Sequence, residues 1–197
     1  MAAEPLAQLP GTVEGELTAF RWADYDVPFW ARENTTSGRW NFALEGSTQY
    51  WALTPEASWA ELIRAEQLLT EADLDLVRKP FWVTRVPTGG LVDLTRADAR
   101  ERYGISEADL IADDRQACQA LAVELRKHHR GVIAPSAAMP EHRNVTLFGP
   151  RRAIDWTSRS PLASTVPTTR AAIGRPPDGL IERVPFRAAP PSGDRLF

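Results

Sequence analysis

A cation, an aromatic hydroxyl and a carboxylate follow one another at short intervals in the first third of this 197-residue chain. Arg39 comes directly after Gly38, Tyr50 lies on a predicted strand, and Glu61 lies on the helix that follows. A guanidinium is a planar fork that suits phosphate groups. A fixed carboxylate can stabilise the positive charge that builds on a sugar as its glycosidic bond breaks. These residue types therefore predict a pocket for a dinucleotide with a cleavable glycosidic bond.

Three further polar residues extend this group. Arg21 lies near the end of the first predicted strand, Ser136 follows an apolar strand, and Asn144 begins the next one. Strand ends and the loops after them often carry functional groups. The candidate catalytic residues are Glu61, Arg39 and Ser136, and the candidate ligand-binding residues are Arg21, Arg39, Tyr50 and Asn144.

Each candidate also has a purely structural interpretation. Arg39 could pair with an acidic neighbour on the surface, and Tyr50 could be an ordinary core aromatic residue. Glu61 could pair with Arg64 one helical turn later, an interaction worth only a few tenths of a kcal/mol. Ser136 could cap a turn. The residue types by themselves leave these alternatives open.

Several familiar kinds of site are not predicted. The chain has no Gly-x-Ser-x-Gly elbow and no Gly-x-Gly-x-x-Gly after a strand, which argues against a hydrolase serine and the usual dinucleotide fingerprint. His128 and His129 are adjacent, His142 lies in a polar loop, and Cys118 is the single cysteine. We therefore expect neither a metal site nor an internal disulfide.

Composition and charge narrow the class of protein further. The chain is 43% hydrophobic and 25% charged, with a formal net charge of −3, which is ordinary for one globular domain. So small a charge indicates neither direct nucleic-acid binding nor an anionic membrane partner. No stretch approaches the roughly 18 apolar residues of a membrane-spanning helix, and residues 1–11 do not form a signal peptide. We expect a cytoplasmic protein.

Turn signals and apolar spacing predict the elements that must position these residues. Thr54 is a predicted helix N-cap with Pro55 at the first helical position, and Gly104 and Gly131 are predicted helix ends. Strands are predicted over residues 17–22, 49–53, 81–86, 91–94, 132–134 and 144–148, and helices over 55–69, 98–103, 106–109 and 113–130, the last being the longest. Their short connections predict a single α+β domain in which flanking helices cover small mixed or antiparallel sheets.

The distribution of tryptophan and proline predicts the domain boundaries. All seven tryptophans lie between Trp22 and Trp156, and large aromatic residues dominate core burial. Residues 157–197 are rich in proline, which favours an extended tail. We therefore expect an N-terminal extension over 1–16, a domain over 17–156 whose core ends near Trp156, and a tail that is dispensable for folding.

The order and spacing of these segments resemble the RES-domain family, named for its Arg, Glu and Ser. The matching segments are FRW at 20–22, GRWN at 38–41, YWALTPEASWAE at 50–61 and APSAAMP at 134–140, with Asn144 and Pro150 downstream. Together they cover roughly residues 20–156. The resemblance implies a fold like that of the ADP-ribosyltransferases and cleavage of the nicotinamide–ribose bond of NAD.

The resemblance also implies a role for each matching residue. Arg21 and Arg39 would grip the pyrophosphate or an attacking phosphate, and Tyr50 would shape the nicotinamide-ribose pocket. Glu61 would hold a ribose hydroxyl and stabilise the transition state. Ser136 would hydrogen-bond a ribose or phosphate oxygen.

Because two arginines, Arg21 and Arg39, accompany one carboxylate, we expect phosphorolysis of NAD to nicotinamide and ADP-ribose 1″-phosphate; the resemblance agrees but does not decide it, since it implies both phosphorolysis and transfer to a target. NAD would be a substrate and inorganic phosphate its co-substrate, with no resident cofactor. The resemblance implies a toxin that is paired with an Xre-like helix-turn-helix antitoxin, and it leaves self-association open. The alternatives are an ADP-ribosyltransferase acting on a protein or small molecule, and a non-catalytic binding module.

Overall fold

The computed structural model describes residues 15–22, 33–77, 80–149, 168–171 and 176–185. Seven strands form one sheet, in the order β4-β5-β6-β2-β1-β3-β7. The strands are β1 Glu16–Trp22, β2 Thr48–Ala52, β3 Phe81–Pro87, β4 Leu91–Asp93, β5 Gly131–Pro135, β6 Arg143–Phe148 and β7 Thr168–Ala171. The helices are α1 Pro55–Glu66, α2 Glu71–Asp75, α3 Ala97–Tyr103, α4 Glu107–Ile111, α5 Gln116–Leu125 and α6 Leu180–Arg183.

The sheet is mixed and opens at its centre. Strands β4 and β5 are parallel, and the other neighbours are antiparallel. β1 pairs with β3 along its full length, but it pairs with β2 only at Phe20 and Ala52. β1 and β2 therefore diverge away from that pair. The α+β class with flanking helices is confirmed, and its strands belong to one opened sheet.

Local signals at α1 act as predicted. The Thr54 side chain accepts a hydrogen bond from the Ala57 N–H at 3.1 Å, and Pro55 occupies the first helical position. The helix ends at Glu66, three residues before the predicted end, because Gln67 adopts a left-handed conformation with φ of 54°. The Gln67 N–H closes the helix on the Ile63 carbonyl.

The helix predicted over 113–130 is wrong in both bounds, since α5 runs only over Gln116–Leu125. It is also not the longest of the described helices, because α5 has 10 residues and α1 has 12. At its start, the Asp114 carboxylate accepts from the Gln116 N–H at 2.9 Å, which is a turn that competes with helix. After its end, tighter turns take over, and the Arg130 N–H donates to Gly90 beside β4. Sheet contacts thus use backbone groups that a longer helix would need.

Three clusters of buried apolar residues hold the fold. One packs α3, α4 and α5 against β4 and β5, and a second lies on the opposite face of the sheet. The third joins α1, α2 and α6. These clusters fix α1 over the opening between β1 and β2. Among the described helices, none has the length and apolar character needed to cross a bilayer.

The prediction that the core ends near Trp156 is wrong. Leu180 and Ile181 of α6, and Val184 directly after it, are buried in the third cluster, and β7 adds to the sheet beside β3. The apolar segment at α6 is short and lies between prolines, so the proline-rich composition of residues 157–197 did not reveal it as part of the core. Residue 156 and residues 1–14 lie outside the described part of the chain, and the three-part division itself stays a prediction.

Candidate active site

A cavity of about 410 Å³ lies where β1 and β2 diverge, beside α1. Its size falls within the range of small-molecule sites, about 300–1,000 Å³. Its walls combine indole rings, arginines and two carboxylates, those of Glu61 and Glu66. The walls are formed by Phe20, Arg21, Trp22, Gly38, Arg39, Trp40, Tyr50, Trp51, Ala52, Ser58, Glu61, Leu62, Arg64, Ala65, Glu66, Arg115, Pro135, Ala137, Asn144 and Thr146.

The Glu61 side chain projects from α1 and contacts one residue just after the end of β5 and one near the start of β6. The Ser136 hydroxyl donates to Glu61 Oε1 at 2.6 Å, and the Asn144 amide donates to the same oxygen at 2.6 Å. In the described part of the chain, no hydrogen bond reaches Oε2. The carboxylate is therefore fixed by one oxygen, which leaves the other to meet a ligand.

The alternative partner of Glu61 is engaged elsewhere. Arg64 Nη2 lies 2.5 Å from Asp113 Oδ1, and Arg64 Nη1 donates to the Ala137 carbonyl. The surface ion pair considered from the sequence is therefore wrong. Glu61 is a fixed carboxylate on a cavity wall.

Ser136 lies behind Glu61 and is fully buried. Its hydroxyl also accepts from the Ala138 N–H at 3.2 Å, as the turn-capping interpretation predicts, and its hydrogen bond to a ribose or phosphate oxygen stays a prediction. Asn144 lines the cavity, and its Oδ1 is buried with no hydrogen-bond partner among the described residues. Ser136 and Asn144 therefore both hold Glu61 in place, and the predicted contact of Asn144 with a ligand stays a prediction.

Tyr50 fixes the turn that carries Arg39. Its hydroxyl donates to Asn41 Oδ1 at 2.7 Å and accepts from the Trp40 N–H at 2.9 Å. Burial raises the pKa of Tyr50 above its usual value, so the phenol stays protonated and keeps donating. The predicted contact with the nicotinamide ribose stays a prediction, and that contact would use the ring because the hydroxyl is already engaged.

Gly38 is required by the close approach of this turn to Tyr50. A Cβ at position 38 would lie 2.4 Å from the Tyr50 hydroxyl and 2.7 Å from Asn41 Oδ1. We expect Gly38→Ala to lower the free energy of unfolding by about 1–3 kcal/mol, the range for overpacking, and to weaken ligand binding because Arg39 moves. Chemical denaturation and calorimetric titration with NAD measure the two effects.

The matched control for this substitution is Gly89→Ala, since nothing lies within 4 Å of a Cβ at that position. We expect it to leave both properties close to those of the wild type. Equal stability and NAD affinity in the two variants would contradict the role given to Gly38.

Arg39 is a further anchored side chain in the cavity wall. Its Nη2 donates to the Ala112 carbonyl at 2.7 Å, and its Nη1 is buried with no hydrogen-bond partner in the part of the chain that is described. Because Nη1 is enclosed by protein atoms, the side chain contributes positive charge rather than a free donor to the cavity wall. That charge favours an anionic ligand.

Arg21 lies on the other face of β1 from Phe20, because side chains alternate along a strand. It is in register with Trp82, and its guanidinium carbon lies 5.6 Å from the centroid of the Trp51 ring. A cation over an indole face is attracted by about 0.5–1 kcal/mol at an exposed site. Arg21 lines the cavity at its edge, stacked on an aromatic wall.

Two further arginines in the walls were not singled out from the sequence. Arg64 is 6% exposed. Its position one helical turn after Glu61 is the sequence signal that could have identified it as a site residue. Arg115 immediately precedes α5 and carries no motif. The pKa of Arg115 is lowered by burial and by the nearby charge of Arg39. The cavity is thus more cationic than the sequence predicted.

Comparisons with known proteins point to one class of enzyme. No family model matches the chain. Over 116 residues it is 30% identical to a Mycobacterium tuberculosis H37Rv protein named "Probable NAD(+) phosphorylase Rv3189". Over 132 residues it is 29% identical to the NAD(+) phosphorylase MbcT of Mycobacterium bovis. The chain is similar to NAD(+) phosphorylases.

The extent of these similarities differs between the relatives. The Rv3189 match covers 56% of this chain and 53% of that protein, so the chain spans about half the length of this relative. The MbcT match covers 64% of this chain and 71% of MbcT. A chain in the crystal structure of the M. tuberculosis MbcT–MbcA toxin–antitoxin complex has the same fold, with a TM-score of 0.62 at 22% identity over 82% of this chain and 87% of that one.

Proposed function

We propose that this chain is a RES-family NAD(+) phosphorylase, which transfers ADP-ribose from nicotinamide to inorganic phosphate. The observation that carries the proposal is the state of Glu61. Ser136 and Asn144 both bind its Oε1, and the cavity beside it is lined with arginines. The names of the similar proteins, Rv3189 and MbcT, support the same reaction.

The proposed chemistry needs a fixed negative charge beside a sugar. The bond between the ribose anomeric carbon and the nicotinamide nitrogen breaks, and its electron pair returns to the ring, so nicotinamide leaves uncharged. Positive charge develops on the ribose and is stabilised by the Glu61 carboxylate, as it is beside the carboxylates of glycosidases. An ionised oxygen of phosphate then forms the new bond to the anomeric carbon.

The arginines would make this chemistry compatible with anionic reactants. NAD carries a pyrophosphate and the attacking phosphate is itself an anion, so Glu61 alone would repel both. Arg39 and Arg21 both place a positive charge in the cavity wall, and Arg21 lies over the Trp51 ring. Arg39 would bind a phosphate group directly, and Arg21 would hold the outer part of NAD.

The proposed activity also suggests the kind of partner that this protein would need. A protein that consumes NAD harms the cell that makes it, so it requires an inhibitor. The MbcT–MbcA complex, with its shared fold, supports a protein antitoxin for this chain, and we propose the Xre-like type expected from the family resemblance. The cytoplasmic location stays a prediction.

Product analysis tests this function. We expect the purified protein to release nicotinamide from NAD only in the presence of inorganic phosphate, and the second product to have the mass of ADP-ribose 1″-phosphate. Phosphate-free buffer with matched ionic strength is the control. Undiminished nicotinamide release without phosphate would overturn phosphorolysis, and label transferred from NAD to a macromolecule would indicate the transferase instead.

A further inference from the structure

Three arginines converge on the segment 112–115, which joins α4 to α5. Arg39 binds the Ala112 carbonyl at 2.7 Å, Arg64 pairs with Asp113 at 2.5 Å, and Arg115 belongs to the segment itself. All three side chains line the cavity. They come from the 38–41 turn, from α1 and from the start of α5, so one side of the cavity collects charge from three elements.

The positive charge of this cluster is only partly offset. Asp113 pairs with Arg64, but neither Arg39 nor Arg115 has an ion pair among the described residues. Arg115 makes one long hydrogen bond, from Nη1 to the Ser37 carbonyl at 3.4 Å. The backbone N–H groups at the start of α5 add a partial positive charge at the same place. The cluster therefore holds excess positive charge in a half-buried site.

The cluster also holds donors without acceptors. Arg39 Nη1 and Arg64 Nε are both buried with no hydrogen-bond partner in the described ranges, and Arg64 is 6% exposed. A buried donor without a partner is costly. Burial first, and then the nearby charges of Arg39 and Arg64, lower the pKa of Arg115. An anion bound in the cavity would offset the charge of the three guanidinium groups in its wall.

We infer that Arg115, together with Arg39 and Arg64, forms a phosphate-binding subsite one helical turn from Glu61. This inference rests on the proposed function and adds two residues to it. Arg64 and Glu61 are three positions apart on α1, about 4.5 Å along the helix axis between their Cα atoms, so one helix carries both the carboxylate and an arginine of the subsite. The bound group is either free phosphate or the pyrophosphate of NAD, because both present the same oxygens.

Arg115 is the residue that tests the subsite with least damage to the fold. Its side chain does not cap α5, and in the described part of the chain it makes one long hydrogen bond, to the Ser37 carbonyl. The variants are Arg115→Gln, which removes the charge, and Arg115→Lys, which keeps it. The control is Arg85→Gln, because Arg85 is an arginine on β3 whose side chain is 62% exposed.

Binding and kinetics are measured separately. Inorganic phosphate and inorganic pyrophosphate are titrated without NAD at constant ionic strength, by calorimetry and by the shift in Tm that a bound ligand produces. The KM for phosphate and the KM for NAD are measured in parallel. We expect Arg115→Gln to weaken anion binding roughly tenfold to hundredfold, as for a lost charged hydrogen bond, and Arg115→Lys to restore part of it.

The kinetic result identifies the source of the bound phosphate group. A rise in the KM for phosphate alone supports free phosphate, and a rise in the KM for NAD alone supports the pyrophosphate. Anion affinities and both KM values equal to those of Arg85→Gln would overturn the subsite even if NAD is cleaved. Anion binding that depends on Arg115 in a protein that cleaves no NAD would support the subsite and overturn the proposed function.

Discussion

We expect Glu61→Gln to lower kcat for nicotinamide release from NAD by about 10²–10³-fold, the range seen when a preorganised electrostatic contact to a transition state is removed. The substitution keeps the size of the side chain and an oxygen that can accept from Ser136 and Asn144, but it removes the charge. The measurement is steady-state release of nicotinamide at saturating NAD and phosphate. The KM for NAD should change far less, because the lost interaction is made in the transition state.

The same substitution should separate toxicity from folding. Expression of the wild-type chain in bacteria should arrest growth through loss of NAD, and Glu61→Gln should relieve the arrest at equal protein level and equal Tm. Glu101→Gln is the control, since Glu101 is an exposed carboxylate on α3. Growth arrest of equal strength from a well-folded Glu61→Gln protein would contradict the catalytic role.

The second large effect concerns the tail. We expect Leu180→Ala to lower the free energy of unfolding by about 2–5 kcal/mol, the range for truncating a buried leucine. Leu180 is 1% exposed and packs in the cluster that holds Trp59 and Ile63 of α1. Because α1 carries Glu61, the change should also reduce NAD cleavage near the melting temperature. Urea denaturation followed by tryptophan fluorescence measures the stability.

Leu76→Ala is the matched control, because Leu76 is 75% exposed and surface changes usually alter stability by about 0.5 kcal/mol or less. A chain truncated after residue 149, which lacks β7 and α6, should lose more stability than Leu180→Ala. A truncated chain with the wild-type urea midpoint would restore the view that the tail is dispensable.

The strand order could not be predicted from the local patterns. Short apolar runs at 81–86, 91–94 and 132–134 predicted strands close to those observed. The local patterns do not specify that β1 pairs fully with β3 and at a single position with β2. That choice depends on contacts between residues far apart in the chain. It creates the opening in which the cavity lies.

The sequence by itself determined the features that depend on neighbouring residues. Thr54 and Pro55 start α1, Gly104 ends α3 with a left-handed conformation, and the residue types at positions 39 and 61 identified a cation and a carboxylate on cavity walls. The α+β class followed from the same short-range signals, since each depends on a few adjacent backbone groups. The similarity to NAD(+) phosphorylases agrees with the function expected from these residues.

Only the tertiary structure decided how the site is assembled. Ser136 and Asn144 reach Glu61 across 75 and 83 residues of chain. Arg115 lies beside Arg39 in the cavity wall, although the two residues belong to no common motif. Tyr50 proved to hold the turn that carries Arg39. Contacts over such separations depend on sheet register and on the packing of helices against the sheet, and no local pattern in the chain encodes either.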